Sequence, residues 1–150
     1  MSLASLFRYP DHPITPREDD LDQFATEMSA LDLKSQQSLY TSTFDLAPSC
    51  TPYLGVHLFG DENADRARLM VGLRLAYKRV GMEEAGELPD HVSEVLRFAA
   101  REDVEEREEL RRFVLVPALT KMNELLAPTA NPYRHLVAAT LHRMEESRES

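Results

Sequence analysis

The sequence contains a single cysteine, five glycines and no tryptophan among its 150 residues. Because one thiol cannot form an internal disulfide, Cys50 favours a reducing compartment such as the cytoplasm. The low glycine content favours helices, and no apolar run approaches the ~20 residues needed to span a bilayer. The amino-terminal residues also lack the basic and apolar regions of an export signal. We therefore expect a cytoplasmic protein with no membrane insertion.

Basic residues are in the minority: 17 lysines and arginines stand against 26 aspartates and glutamates, for a formal net charge of −9. Phosphate binding needs clustered basic side chains, so the composition argues against nucleic acid and against an anionic membrane surface. It is compatible with a basic peptide or protein partner, whose approach the negative field would speed. Solubility alone explains an acidic surface equally well.

Signatures of catalysis and of metal binding are missing as well. The glycines do not form a phosphate-binding loop, and Cys50 lies between prolines without a nucleophile motif. His135 and His142 are seven residues apart, whereas zinc ligands on one helix usually form i, i+4 pairs. Acidic side chains are numerous enough to pair by chance, and nothing singles out one pair. The sequence therefore predicts neither an enzyme nor a bound metal or cofactor.

The patterns that are present are almost all helical, and no alternating Val/Ile-rich segment suggests a strand. Thr15-Pro16-Arg17-Glu18 has the capping-box pattern and predicts a helix that continues to Leu31. Other helices are predicted from caps, glycines and prolines at their ends: a short one at Leu3–Phe7, one over 34–44, one from Thr51 to Gly60, one from Asp61 to Gly81, one after Asp90, and a last one capped by Asn131-Pro132.

Proline and acidic residues interrupt the second half of the chain. Pro117 must kink or interrupt the helix that contains Leu110 and Ala118. The acidic run from Glu102 to Glu109 is expected to be a loop or a solvated helix face. The fold class is all-α, and residues 1–150 are expected to form one compact helical bundle in which residues 146–150 fray.

The segment Glu87-Leu88-Pro89-Asp90-His91 lies between two amphipathic helices and carries more polar chemistry than a helix connection needs. Pro89 fixes its own φ and keeps Leu88 out of the helical region, so the turn should be stiff. His91 is placed to hydrogen-bond Asp90 or Glu87 and hold the turn shut. A stiff turn presents its side chains in one arrangement, as a recognition site requires.

Six blocks of sequence stand out in this order: Leu6-Phe7-Arg8-Tyr9-Pro10, Thr43-Phe44-Asp45-Leu46, His57-Leu58-Phe59-Gly60-Asp61, Asp65-Arg66 with the apolar stripe that ends at Gly81, Glu87-Leu88-Pro89-Asp90-His91, and Asn131-Pro132-Tyr133. They resemble the NarJ branch of the TorD-like chaperones, in that family's order and over nearly the whole chain. The Leu-Pro-Asp-His block is the most specific of them.

The resemblance implies an all-helical assembly chaperone for a respiratory molybdoenzyme such as nitrate reductase, with no catalysis of its own. Such chaperones hold the N-terminal segment of the apo catalytic subunit in a groove between helices while the molybdenum cofactor is inserted. Proteins that deliver this cofactor are further candidate partners. An amphipathic client helix with Arg or Lys would suit an acidic groove.

On this basis we predict a peptide-binding site of nine residues. Its apolar groove is formed by Tyr40, Phe44, His57, Phe59 and Tyr77. Its polar edge is formed by Glu87, Asp90 and His91, with Arg66 pairing with one of these acids. The alternative is structural: Asp45, Arg66 and Asp90 would then be caps and ion pairs that fix helix ends, worth roughly 1 kcal/mol each as caps.

Three other functions remain open at this point. The first is a proofreading chaperone that binds a twin-arginine signal peptide of another exported molybdoenzyme. The second is a helical scaffold subunit that stays in the finished complex, and the third is a small hydrolase that uses surface carboxylates. The protein is expected to be a monomer or, with Ala47-Pro48-Ser49 as a hinge, a domain-swapped dimer.

Overall fold

The structure, a computed structural model, describes residues 1–101 and 103–146. These residues form α-helices, two π-helical segments and no strand, so the predicted all-α fold is confirmed. The α-helices are α1 (Leu3–Leu6), α2 (Asp22–Ser29), α3 (Leu33–Tyr40), α4 (Leu54–Phe59), α5 (Ala64–Arg79), α6 (Val92–Ala99), α7 (Arg107–Leu110), α8 (Val116–Leu126) and α9 (Tyr133–Glu146). The π-helical segments are Thr41–Asp45, which continues α3, and Arg111–Leu115, which joins α7 to α8.

Several helix limits follow the predicted signals. Asn131 caps the start of α9, because its Oδ1 accepts a hydrogen bond from the Tyr133 N–H at 2.9 Å. Helix α5 ends just before Gly81, which has a φ of +71°. Pro117 lies in the first turn of α8, directly after a π-helical segment, so the predicted interruption takes the form of a change in helix type.

The predicted start of the second helix is wrong. Helix α2 begins at Asp22, and the capping-box segment Thr15–Glu18 is not helical. The Asp19 carboxylate accepts a hydrogen bond from the Leu21 N–H at 3.2 Å and another from the Arg17 Nε at 3.1 Å. This later carboxylate therefore holds the turn before α2, and residues 15–18 ahead of it do not form a helix.

Two further helix starts lie later than predicted. Helix α5 begins at Ala64 and not at Asp61, because the Asn63 Oδ1 accepts from the Asp65 N–H at 2.8 Å and caps the helix. Helix α4 begins at Leu54, three residues after the predicted start at Thr51.

Within the acidic run, residues 107–109 belong to α7 and 103–106 do not form a helix, whereas Glu102 lies outside the described residues. Of the residues predicted to fray, Glu146 is the last residue of α9. Residues 147–150, like Glu102, lie outside the described residues.

One connected core of buried side chains reaches from α1 to α9. An aromatic cluster fills the part near α3 and α9, where the ring of Tyr133 lies 4.8 Å from that of Phe44 and 5.2 Å from that of Phe24. The ring of Tyr40 also joins this cluster and lies 5.2 Å from that of Phe44. The aromatic side chains of the Thr43–Leu46 block and of the last helix therefore stabilise the same region.

The Tyr133 hydroxyl is buried without a hydrogen-bond partner among the described residues. Tyr133→Phe removes this unpaired group while keeping the ring, so we expect the free energy of unfolding to rise by about 1 kcal/mol. Urea unfolding monitored by circular dichroism measures the change. Tyr40→Phe is the matched control, because the Tyr40 hydroxyl donates to the Phe7 carbonyl at 3.0 Å, and its loss should destabilise. Equal effects of both substitutions would contradict this interpretation.

Candidate functional site

The turn before α6 is tied to the residues that precede α4. Tyr53 and His91 form an isolated antiparallel bridge. The Leu54 N–H donates to the Asp90 carbonyl at 2.8 Å. These backbone bonds connect two segments that are more than thirty residues apart in the sequence. The turn that was predicted to be stiff is therefore also held from outside.

The Asp90 carboxylate is fully buried and satisfied by three donors. Its Oδ2 accepts from the Gly55 N–H at 3.2 Å and from the Arg66 Nε at 2.9 Å, and its Oδ1 accepts from the Arg66 Nη2 at 3.4 Å. Arg66 also reaches the Asp61 Oδ1 at 3.2 Å and lies 5.7 Å from the centre of the Tyr53 ring. The predicted pairing of Arg66 with an acid of the turn is confirmed. We call Gly55, Arg66 and Asp90 the Asp90 clasp.

His91 caps α6 and does not bond to the neighbouring acids. Its Nδ1 accepts from the Ser93 N–H at 3.1 Å and lies 2.8 Å from the Ser93 Oγ. The predicted hydrogen bond from His91 to Asp90 or Glu87 is therefore wrong, and Glu87 instead accepts from the Tyr53 hydroxyl at 3.1 Å. An accepting Nδ1 corresponds to a neutral ring with its proton on Nε2.

Burial lowers the pKa of His91 to about 4, although the nearby Glu94 and Asp90 act to raise it. The unfolded chain binds a proton at this ring below about pH 6.5, whereas the folded chain stays neutral. Folding stability should therefore fall as the pH drops from 6.5 to 5.5, by up to about 1.4 kcal/mol per pH unit from this group.

Urea unfolding at a series of pH values measures this slope. His91→Asn is the matched variant, because asparagine can still cap α6 but does not titrate. Burial also lowers the pKa of His57, so the difference between the two slopes isolates His91. The same slope in the variant would show that His91 is not the titrating group.

Six of the nine predicted site residues are buried: Tyr40, Phe44, Arg66, Tyr77, Asp90 and His91. The Tyr77 hydroxyl, for example, donates to the Pro89 carbonyl at 2.6 Å and so supports the turn from α5. His57 is half-buried, with its Nε2 2.8 Å from the Thr51 carbonyl oxygen. Phe59 is 39% exposed, and Glu87 is exposed. The role of all nine in peptide binding stays a prediction, and only the last three reach the surface here.

The surface above these buried residues combines apolar and acidic side chains. We define this acidic face by Tyr9, Asp45, Leu46, Tyr53, Glu87 and Leu88. Leu46 is 71% exposed, Tyr9 49% and Leu88 40%, and Leu46 and Tyr9 line one shallow groove. The Glu87 carboxylate accepts a hydrogen bond from the Tyr53 hydroxyl at 3.1 Å. Burial raises the pKa of Tyr53 to about 12, and the negative charges of Glu87 and Asp45 add to this effect. The acidic face thus offers apolar contacts beside two carboxylates.

Sequence reasoning missed Gly55, Tyr53 and Leu46 as site residues. An isolated glycine within a helical pattern is a signal of close backbone approach, and Gly55 was open to that interpretation. No local pattern indicates that Tyr53 would pair with the turn, because its partners are distant in sequence. Leu46 follows the π-helical segment, and π-helical turns often occur at functional sites.

Clustered metal ligands and membrane-spanning helices are both absent from the described residues. Residues 1–101 and 103–146 contain no group of three or more His, Cys, Asp or Glu side chains that could hold a metal ion. Within the same ranges, no helix has the length and apolar character required to cross a membrane. Cys50 is buried, and burial raises the pKa of its thiol to about 12, so the thiolate is scarce at neutral pH.

Comparison with known proteins gives a consistent result. Residues 13–139 match the model of the family described as nitrate reductase delta subunit. The chain is also 34% identical over 125 residues to the nitrate reductase-like protein NarX of Mycobacterium tuberculosis, in the strains CDC 1551 / Oshkosh and ATCC 25618 / H37Rv. This alignment covers 83% of the present chain but 19% of each relative. The chain belongs to the nitrate reductase delta subunit family, as its resemblance to NarJ indicated.

Proposed function

We propose that this protein is an assembly chaperone for the catalytic subunit of a respiratory molybdoenzyme, with nitrate reductase as the first candidate. It acts in the cytoplasm, holds the N-terminal segment of the apo subunit while the molybdenum cofactor is inserted, and catalyses no reaction itself. Family membership supports a general role in nitrate reductase maturation. The observation that carries the more specific proposal is the acidic face.

The chemistry of the acidic face suits an amphipathic client segment that carries Arg or Lys. Leu46, Leu88 and Tyr9 supply exposed apolar area for the apolar side of such a segment. Asp45 and Glu87 supply charges that orient its cations and exclude acidic competitors. Because the Asp90 clasp fixes the turn below, the face loses little conformational freedom on binding.

The proposal predicts that charge reversal on the face weakens client binding. The probe is a peptide of the first ~20 residues of a molybdoenzyme catalytic subunit encoded beside this protein, long enough to form a helix across the face. We expect saturable binding with a negative heat-capacity change, and a loss of affinity of about tenfold or more for the double variant Asp45→Lys/Glu87→Lys. Isothermal titration calorimetry measures both quantities.

The double variant Glu18→Lys/Glu62→Lys is the control for this experiment, because both residues are exposed acids outside the acidic face. It changes the net charge by the same amount and should alter the affinity by less than about twofold. Absence of binding to a well-folded sample would refute the proposal. Equal losses of affinity in the control and in the Asp45→Lys/Glu87→Lys variant would show that the overall charge, and not the acidic face, determines peptide binding.

A scaffold subunit is the second candidate function, and the length of the relative NarX supports it. The matched region makes up 19% of the NarX chain, so in that relative it is joined to other segments of one protein. A region that is covalently attached does not dissociate as a transient chaperone does. Co-purification of the present chain with mature, cofactor-loaded enzyme would support the scaffold role, whereas its presence on the apo subunit alone would support the chaperone.

A further inference from the structure

A second, larger cleft lies between α1, α6, the segment 104–111 and the end of α9. Its volume is about 950 Å³, at the upper end of the range typical of ligand-binding sites. The larger apolar side chains of its lining are Leu3, Leu96, Val104, Leu115 and Met144. Among the nine residues of the predicted peptide-binding site, none lines this cleft. We call it the basic cleft, because most of the charged side chains that line it are arginines.

The charged side chains that line the basic cleft are mostly positive, although the chain as a whole has a net charge of −9. They are five arginines and two glutamates: Arg8, Arg97, Arg107, Arg111, Arg143, Glu105 and Glu108. Arg97 pairs with Glu94 at 2.6 Å, and the Nε of Arg111 bonds to Glu108 at 2.9 Å. The Arg143 Nε likewise bonds to the Asp20 Oδ2 at 2.8 Å, so three of the five arginines are compensated within the chain.

Two of these arginines have no carboxylate partner in the described part of the chain. The Arg8 Nη2 donates to the Ala85 carbonyl at 3.4 Å. The Arg107 Nε donates to the Ala99 carbonyl at 2.8 Å, and its Nη2 bonds to the Arg101 carbonyl. Because carbonyl oxygens satisfy donors without neutralising charge, Arg8 and Arg107 leave two positive charges at the cleft against the one negative charge of Glu105.

Helix α6 and the residue after it present an elongated side to the basic cleft. Ser93, Leu96, Arg97 and Ala100 all line it, and they follow the i, i+3, i+4, i+7 spacing of one helix face. This stripe extends for roughly 10 Å at 1.5 Å per residue, or about two helical turns. A long apolar groove with charges at its rim is the geometry that binds an amphipathic helix.

We propose that the basic cleft binds an acidic, amphipathic helical segment of a partner protein, about two turns of which lie along α6. Its apolar side contacts Leu3, Ala100 and Met144, which are accessible apolar residues of the lining, and its carboxylates face Arg8 and Arg107. The net charge of the chain does not prevent this, because charges beyond about 8 Å are largely screened at physiological ionic strength. The partner segment has the opposite charge to the client segment proposed for the acidic face, so the protein can hold both at once.

The test uses a fluorescent model peptide of about 14 residues, with leucines on one helix face and glutamates on the other, long enough to fill the cleft with about one turn to spare at each end. Fluorescence anisotropy with the full chain should show saturable binding, and a peptide with lysines in place of the glutamates should not bind there. Ala100→Glu and Arg8→Glu should each weaken binding by about tenfold, because each adds negative charge beside the peptide.

Arg68→Glu is the matched control, since Arg68 is an exposed arginine on α5 that does not line the basic cleft. It should leave the affinity within about twofold, and thermal unfolding verifies that all three variants are folded. Equal weakening by Arg68→Glu, or full displacement of the peptide by inorganic phosphate at constant ionic strength, would overturn the proposal. So would self-association of the free chain that Ala100→Glu abolishes, because a second copy would then occupy the cleft.

Discussion

Asp90→Ala is expected to lower the free energy of unfolding by about 3–5 kcal/mol, because it leaves the buried Arg66 without its main counter-ion. Arg66 is only 7% exposed, and the Gly55 N–H also loses its acceptor in the variant. Leaving a buried donor unpaired adds its own cost of about 1–3 kcal/mol. Urea unfolding of the variant and of the unmodified protein at pH 7 measures the difference.

Asp61→Ala is the matched control for this experiment. It removes the other carboxylate that contacts Arg66, but the Asp61 side chain is 81% exposed, so its ion pair should contribute less than about 1 kcal/mol. The double variant Arg66→Met/Asp90→Leu should lose less stability than the two single changes combined, because no buried charge is left alone. Equal effects of Asp61→Ala and Asp90→Ala would contradict the role given to the clasp.

The same variants separate the structural role of Asp90 from direct peptide contact. If Asp90 contacts the client, Asp90→Ala weakens peptide binding at a temperature where the variant is still folded, by more than Asp61→Ala does. If Asp90 only positions the turn, affinity is lost together with stability, and Arg66→Met loses it as well. Its complete burial supports the second outcome, in which Glu87 and Leu88 contact the client and the clasp holds them in place.

Helices whose signals are local could be predicted from the sequence. Asn131 caps α9 through its own side chain, and Gly81 adopts the positive φ that ends α5, so neither depends on distant residues. The start of α2 was not predictable in the same way. Two local patterns compete there, and the Asp19 carboxylate supplies the hydrogen bond that the capping box of Thr15–Glu18 was expected to supply.

The sequence predicted the pairing of Arg66 with an acid of the turn, but not which residues around the turn are exposed. The structure assigns this pairing to Asp90. The burial of Tyr40, Phe44 and Asp90 does not follow from sequence, because it depends on helices that are distant in the chain and pack over them. The basic cleft is even less predictable from the sequence, because its walls come from α1, α6 and α9, and no single sequence pattern spans these helices.

Gly55→Ala is expected to lower the free energy of unfolding by about 3 kcal/mol or more, because overpacking a rigid buried site costs 1–3 kcal/mol and the clasp would also be displaced. A Cβ at Gly55 would lie 2.6 Å from the Asp90 Oδ2 and 2.8 Å from the Arg66 Cγ. Neither neighbour can move freely, since Asp90 is fully buried and both are joined by the ion pair. The added methyl group must therefore push α4 away from Asp90 and Arg66.

Gly72→Ala is the matched control for Gly55→Ala, because both glycines lie in helices and differ in their surroundings. A Cβ at Gly72 meets no atom within 4 Å, so the substitution should stabilise α5 by up to about 1 kcal/mol through helix propensity alone. Opposite signs for the two variants in urea unfolding would establish that the approach of Gly55 to Asp90, and not glycine flexibility, explains why the position needs glycine. If both substitutions stabilise the protein, the close packing of α4 on Asp90 and Arg66 is refuted, together with the rigid turn on which the acidic face depends.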